Sequence, residues 1–421
     1  MQNQDNPKAK RRIAVISPFL DKQHGTERCV AEQIERLADD YEIHLYSSAV
    51  EDVDFARIVW HRVPRLPGPY LLAYCWWLIA NRVCRWWDTR FRGLAPDMVY
   101  SPGINCFDAD LISVHIVFAE FYRRVEESLA FGVNPVVSWP RLLHRRMYYR
   151  LLIALESHVY GGERSLLTAV SAKVTEDLRG YCSRVEIPII LHGIDTARFR
   201  VETRAELRHS ARQALGFGED DFCVLLVGND WKKKGLPCLL ESMGRLALPS
   251  LRLVVVGRDM VDPYRSAISR LRLDDRVSFL PPRPDIEFYY AAADLYVGPS
   301  LEDAFALPPL EAMACGLPSI VSSQAGVSEL LANEVDGFIV DPGDSARLAE
   351  LIALVYGNAD LRQRMGKAAA KRARQYTWER NAEQLGQLFQ EVLRRKGRNS
   401  APILAEQDVR SGPDARMQNP G

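Results

Sequence analysis

The sequence predicts an α/β protein built from two doubly wound parallel-sheet domains. Three observations predict it. The chain has 421 residues, too many for one ordinary core and enough for about two domains. Short apolar runs alternate with helical patterns along both halves, as βαβ units do. The runs of the second half are nearly continuous Val and Leu, the pattern of strands covered on both faces.

Residues 1–10 are polar and read as a tail. No apolar segment precedes Ile13, which argues against a secretory signal. The first domain, residues 11–199, opens with a strand at 13–18 and a loop containing His24-Gly25-Thr26-Glu27. A helix follows with Val30, Ile34 and Leu37 on one face. Further strands are expected at 42–46, 98–100, 111–114, 166–170 and 185–191. Between them, residues 70–87 hold a membrane-like stretch. Its unbroken apolar run is about half of the ~20 residues a spanning helix needs. Two readings stay open. The segment is either a domain helix with its aromatics packed inside and its arginines solvated, or a helix lying on a membrane surface, where Trp pairs beside Arg are at home. The helix at 140–160 mixes Arg141, Arg145, Arg146 and Arg150 with leucines. Its charges read as a solvated face, with a phosphate or acidic-lipid contact as the alternative.

The second domain, residues 200–376, begins within a polar stretch at 195–218. It carries strands at 222–228, 251–257, 277–280, 295–297 and 319–321, and closes with helices over 345–376. A last helix covers 377–396. Residues 397–421 are polar and rich in small residues, as disordered tails are. A formal net charge of zero gives no support to polyanion binding, so nucleic acid is not an expected partner. Eight cysteines without a Cys-x-x-Cys spacing argue against a zinc site and for reduced thiols in a cytosolic protein.

Three segments carry chemistry. In residues 299–329 an apolar run ends at Pro299-Ser300. Glu302-Asp303 follows, then a short helix with Glu311, then Gly316-Leu317-Pro318 leading into another strand. Asp303 and Glu311 are eight positions apart, a little over two helical turns, so acids at the two ends of such a segment can face one cavity. In residues 227–236, Lys232, Lys233 and Lys234 sit at a strand-to-helix turn, a good phosphate clamp when helix N-terminal amides assist it. The third segment is His24-Gly25-Thr26-Glu27-Arg28. His115 stands at a strand's C-terminal end, which in an open α/β sheet faces the ligand crevice. It is a hydrogen-bonding candidate or a structural histidine. His192 reads as interdomain loop chemistry, with a ligand contact as the lesser reading.

Residues 299–329 resemble the nucleotide-sugar site of retaining glycosyltransferases of family 4, whose fold is GT-B: two Rossmann-like domains facing across a cleft. The likeness is specific over about 170–378, including Tyr289-Tyr290-Ala291-Ala292-Ala293-Asp294 and Val335-Asp336-Gly337-Phe338, and weaker in the first domain. It implies that the helix at 377–396 returns to the first domain. It implies that Glu311 holds the ribose and that Asp303 sits by the donor sugar, with Glu302 in that place if the register slips by one. Lys234 and Lys233 would neutralise the leaving diphosphate, Gly25 and the backbone at Ala306 and Leu307 would approach it, and His115 would contact the sugar. Breaking the glycosidic bond builds negative charge on that diphosphate, which a preorganised cation must meet. The chain departs from the family pattern in four places. Asn229 holds the usual arginine position, Asp303 replaces Glu, Ala304-Phe305-Ala306 replaces Gly-Phe-Gly, and His24 replaces a glycine. The resemblance implies transfer of a hexose-type sugar from a UDP- or GDP-sugar to a hydroxyl of a glycan or lipid-linked acceptor in cell-surface polysaccharide or lipopolysaccharide synthesis. It implies no cofactor and no metal, and a cytoplasmic enzyme, with peripheral attachment to the inner membrane face as an added reading. A nucleotide-sugar epimerase of similar fold and a noncatalytic nucleotide-sugar-binding protein are the alternatives.

Overall fold

The structure, a computed structural model, describes residues 10–126, 139–182 and 186–399. Nearly all of the two tails read at 1–10 and 397–421 lies outside the described residues. The chain runs β1 (Arg11–Ile16), β2 (Phe19–Leu20), α1 (Gly25–Leu37), β3 (Tyr41–Ser47), β4 (Ala49–Val50), β5 (Ile58–Arg62), α2 (Tyr70–Arg92), β6 (Met98–Pro102), β7 (Leu111–Val114), α3 (Phe118–Val125), α4 (Trp139–Gly161), β8 (Leu166–Ala169) and α5 (Ala172–Leu178). It continues through α6 (Val201–Ala214), β9 (Phe222–Val227), α7 (Leu236–Gly244), β10 (Leu251–Val256), α8 (Asp262–Arg270), β11 (Val277–Leu280), α9 (Glu287–Ala292), β12 (Leu295–Gly298), α10 (Leu307–Ala314), β13 (Ser319–Ser322), β14 (Phe338–Val340), α11 (Ser345–Gly357), α12 (Ala359–Ala373) and α13 (Trp378–Asn399).

The two halves use one topology twice. The first sheet orders its parallel strands β5-β3-β1-β6-β7-β8, and the second β11-β10-β9-β12-β13-β14. In each, the first strand lies between its second and fourth partners. The chain therefore reverses its direction of winding beside β1 and beside β9, and a crevice opens there at the carboxyl ends of the strands. Both domains are Rossmann-like and the arrangement is GT-B.

Apolar side chains cover both faces of each sheet. Ile13 and Val15 meet Val30 and Ile34 of α1 on one face, while Ala14 and Ile16 meet Trp77 of α2 and Tyr160 of α4 on the other. In the second domain Leu225 and Val256 face α9 and α10, and Val224, Leu226 and Val255 face α7, α8 and α11. The last helix joins the two cores. Trp378 at its start is buried in the second domain, whereas Leu385 and Phe389 are buried against β1 and α1 in the first. Lys396 closes the helix on Asp110 at 2.8 Å.

Three local readings differ from the structure. Residues 186–191 of the expected strand at 185–191 make an isolated bridge to β8, Ala169 with Ile189. Pro188 accepts from Ala169 N–H but has no N–H to return, so the ladder does not propagate. Strand β5 is an unforeseen edge strand whose Val59 faces solvent. One covered side leaves it a weaker apolar signal than a central strand has. The reading of residues 70–87 with aromatics inside and arginines outside holds only in part: α2 buries Trp77 and exposes Arg82, but it also buries Asn81, Arg85 and Asp88 and exposes Trp76, Trp86 and Trp87. All eight cysteines are free.

Candidate functional site

The loops after β9 and β12 flank the reversal point of the second sheet, and they carry the lysine turn and Asp303. Two glycines bring these loops together. A Cβ on Gly235 would stand 2.0 Å from the Pro299 carbonyl oxygen, and the residue has φ +81°, so no larger side chain fits there. The close approach is sealed by the Leu301 N–H donating to the Lys233 carbonyl at 2.8 Å. It sets the Lys234 ammonium against Asp303 Oδ2 as a partly buried ion pair. A Cβ on Gly228 would stand 2.8 Å from Lys234 Cε, so this glycine leaves the path along which the lysine extends.

Glu311 lies on the second turn of α10 and is nearly inaccessible, with 4% of its side chain exposed. Both carboxylate oxygens are engaged: Arg28 Nη1 donates to Oε1 at 2.7 Å and the Tyr290 hydroxyl to Oε2 at 2.7 Å. Burial lowers the Arg28 pKa, but Glu311 beside it raises it overall. Tyr296, fully enclosed beneath the site, is raised by burial and then by Asp303 and Glu311, so both carboxylates act on one buried hydroxyl. Lys234, Asp303 and Glu311 all stand on the segments that follow β9 and β12, the two strands beside the reversal point.

Ala306 is the N-cap of α10 and adopts φ +69°, ψ 96°. This is glycine's territory, and an alanine held there stores about 1–3 kcal/mol of strain. Leu307 follows as the first helical residue. Pro308 and Pro309 then lack N–H groups, so the amides that start the helix are those up to Leu307. The Phe305 N–H points back to Asp303 Oδ1 at 3.4 Å.

The other named residues divide. Lys233 turns toward the first domain, its ammonium 5.1 Å from the centre of the Phe121 ring. Lys232 is solvent-exposed. Asn229, in the place of the family's arginine, accepts the Arg258 N–H at 2.8 Å and so fixes the loop after β10. Gly25 begins α1 with nothing within 4 Å of where its Cβ would stand, leaving open space beside the first helical turn. His24 binds Asp21 at 2.8 Å through Nδ1.

His115 follows β7 and is buried, with Nε2 3.3 Å from Ser113 Oγ. Burial pushes its pKa down to about 4, so it is neutral near pH 7. Its ring lies 5.5 Å from that of His192, and His192 stands 4.7 Å from Phe305. Both ring nitrogens of His192 are buried without a hydrogen-bond partner among the described residues. Burial first, then His115 and Arg28, depress its pKa further. His192 thus packs among His115, Phe305 and Trp378, between the two domains. At the base of the cleft, Ser171 Oγ donates to the Ala304 carbonyl at 2.7 Å and Lys173 to Gln324 at 3.0 Å, tying α5 to the second domain.

Sequence reasoning missed Arg28 and Tyr290 as partners of Glu311. Arg28 stood inside a quoted motif and Tyr290 inside a matched segment. Neither carries a local mark of its partner, which lies 283 residues away for Arg28 and 21 for Tyr290.

Comparison with known proteins agrees with the fold. Residues 208–372 match the family described as glycosyl transferases group 1. A D-inositol 3-phosphate glycosyltransferase of Segniliparus rotundus is 30% identical over 229 residues, covering 52% of this chain and 50% of that protein. The same-named enzyme of Salinispora tropica is 30% identical over 227 residues, covering 50% and 47%. The chain spans about half the length of the curated relatives it matches. Among solved structures, WaaG, a glycosyltransferase involved in lipopolysaccharide biosynthesis, superposes with TM-score 0.74 at 20% identity over 89% of this chain and 99% of its own. Anabaena HepE in complex with UDP and glucose gives TM-score 0.66 at 20% identity over 90% and 99%. These likenesses establish the GT-B fold.

Proposed function

We propose that the protein is a retaining glycosyltransferase of family 4 that moves a hexose-type sugar from a UDP- or GDP-sugar to a hydroxyl of a glycan or lipid-linked acceptor. One observation carries the reading: the Lys234–Asp303 pair and the buried Glu311 stand together on the segments that follow β9 and β12, beside the reversal point of the second sheet. The match of residues 208–372 to group 1 glycosyltransferases supports it.

In this reading the donor lies along the loops after β9 and β12. Its ribose hydroxyls reach Glu311, and its diphosphate takes Asp303's place beside the Lys234 ammonium. The amides near Ala306 and Leu307 receive phosphate or sugar oxygens. The bond from the anomeric carbon to the diphosphate oxygen breaks as the acceptor hydroxyl attacks on the same face, and its proton passes to the departing diphosphate. Lys234 stabilises the charge that grows there. Asp303, released from the lysine, and neutral His115 hold sugar hydroxyls. Gly25 leaves room for the phosphates, and Lys233 exchanges Phe121 for them. No metal or cofactor enters this scheme. The setting is the cytoplasm or the inner membrane face, in cell-surface polysaccharide or lipopolysaccharide synthesis.

A thermal-shift screen of UDP-, GDP- and ADP-sugars identifies the donor. Release of nucleoside diphosphate from that donor, with and without added acceptor, then measures turnover. Lys234→Ala should lower turnover by about two to three orders of magnitude, the usual cost of removing a transition-state charge partner, with thermal stability near wild type. Unchanged turnover removes Lys234 from the chemistry.

A further inference from the structure

Helix α2 leaves a long apolar stripe exposed, where a helix laid on a core in water would present polar groups. Its inner face packs Trp77 and Ala80 into the core and holds Asn81, Arg85 and Asp88, all buried. Arg85 donates to Asp108 from both terminal nitrogens, at 2.8 and 2.7 Å. Asp88 accepts from the Tyr46 hydroxyl at 3.0 Å and meets His61 Nδ1 at 2.7 Å. The outer face holds Leu72, Trp76, Ile79, Val83 and Trp86, spaced by four and three residues as one stripe. Ile79 is 60% exposed and Trp86 57%.

Helix α4 lies beside α2. The rings of Tyr74 and Tyr148 meet edge-on at 5.9 Å, and the Leu71 N–H donates to His144 Nε2 at 3.3 Å. The neighbour adds exposed Leu143 and Met147 to the surface. An apolar face this broad, edged by polar groups, marks an interaction site.

The exposed charge on the two helices has one sign. Arg90, Arg141, Arg145 and Arg150 are exposed along the two helices, while the carboxylates these helices carry, Asp88 and Glu156, are buried. A second copy docking face to face would set these arginines against their own kind, since a twofold contact is self-complementary. An anionic lipid surface meets them with the opposite charge, and Trp beside Arg suits the headgroup boundary.

We propose that α2 and α4 form a docking face for an anionic phospholipid bilayer, with both helices lying in the plane of the surface. Among the described residues no helix is long and apolar enough to cross a membrane. The face is independent of the transfer reaction, so failure of one leaves the other standing. Where both hold, a lipid-linked acceptor is met at this surface.

The test is co-sedimentation of the full chain with vesicles of phosphatidylcholine, with and without phosphatidylglycerol, at low and high salt. Binding is expected to need phosphatidylglycerol and to weaken as salt rises. Arg141→Glu with Arg145→Glu should weaken it by about fivefold per arginine or more. Ile79→Ser with Trp86→Ser should weaken it by about tenfold or more, since it removes two side chains that enter the boundary. Both double variants should keep the wild-type melting temperature and circular dichroism, because the altered groups are exposed. Absence of phosphatidylglycerol-dependent binding overturns the proposal, and so does binding that neither double variant weakens. It is equally overturned if the same variants dissolve a solution dimer while vesicle binding is absent.

Discussion

Replacing Arg28 by Met tests whether the two domains are joined as described. Arg28 belongs to the first domain and Glu311 to the second, and their side chains are 17% and 4% exposed. Removing one partner of a buried pair strands the other charge, at about 3–5 kcal/mol. The Tyr290 hydroxyl still holds Oε2, and water can reach the place Arg28 leaves, so a cost below that range, about 2–3 kcal/mol, applies. At about 2–4 °C per kcal/mol for a domain of this size, the melting temperature should fall by roughly 4–12 °C. The assay is thermal unfolding of Arg28→Met, Glu311→Gln and the double variant, followed by circular dichroism. The double variant strands no charge, so its loss should be smaller than the sum of the single losses by about 0.5–3 kcal/mol. Strict additivity, or an Arg28→Met variant within about 0.5 kcal/mol of wild type, would refute the pairing and with it the contact between α1 and α10.

Two further outcomes follow from the crevice. His115 has a folded-state pKa of about 4 against an ordinary value of 6.5, so between these pH values the unfolded chain binds the extra proton. Its share of stability is whole above pH 6.5 and is lost as pH falls toward 4, about 2 kcal/mol between pH 7 and pH 5. His115→Gln should flatten the pH dependence of the urea midpoint over that interval, and parallel wild-type and variant slopes contradict the assignment. Ala306→Gly should be at least as stable as wild type. Relief of about 1–3 kcal/mol of backbone strain offsets the entropy glycine regains on unfolding, whereas Ala306→Val should be clearly less stable in the same denaturation assay.

Much of the architecture was legible because it is written in local pattern. The strand β7 and the central strands β9 and β10 are near-continuous apolar runs, and a strand buried on both faces needs no distant information to be seen. Lys234 and Asp303 were legible for the same reason, since each sits at the end of such a strand where a turn must open. Strand β5 was not, because an edge strand is half solvated. The bridge at Ile189 was mistaken for a strand because the apolar pattern hides the donor that Pro188 lacks. The roles of Lys233 and Asn229 were open from the pattern. Which lysine turns inward depends on Phe121 and Asp303, and what Asn229 does depends on a loop 29 residues later.

The sequence by itself determined that two sheets form, where their strands end, and that a lysine turn and an acidic helix follow the strands beside the second reversal point. These depend on residues near one another in the chain. Tertiary structure alone decided that Arg28 reaches Glu311, that His192 joins His115, and that α2 turns Arg85 and Asp88 inward and Trp76, Trp86 and Trp87 outward. Each of these depends on which side chains meet after the chain has crossed from one sheet to the other. A helix that can bury either of two faces takes its orientation from the partners that satisfy its polar groups: Asp108 for Arg85, and Tyr46 and His61 for Asp88.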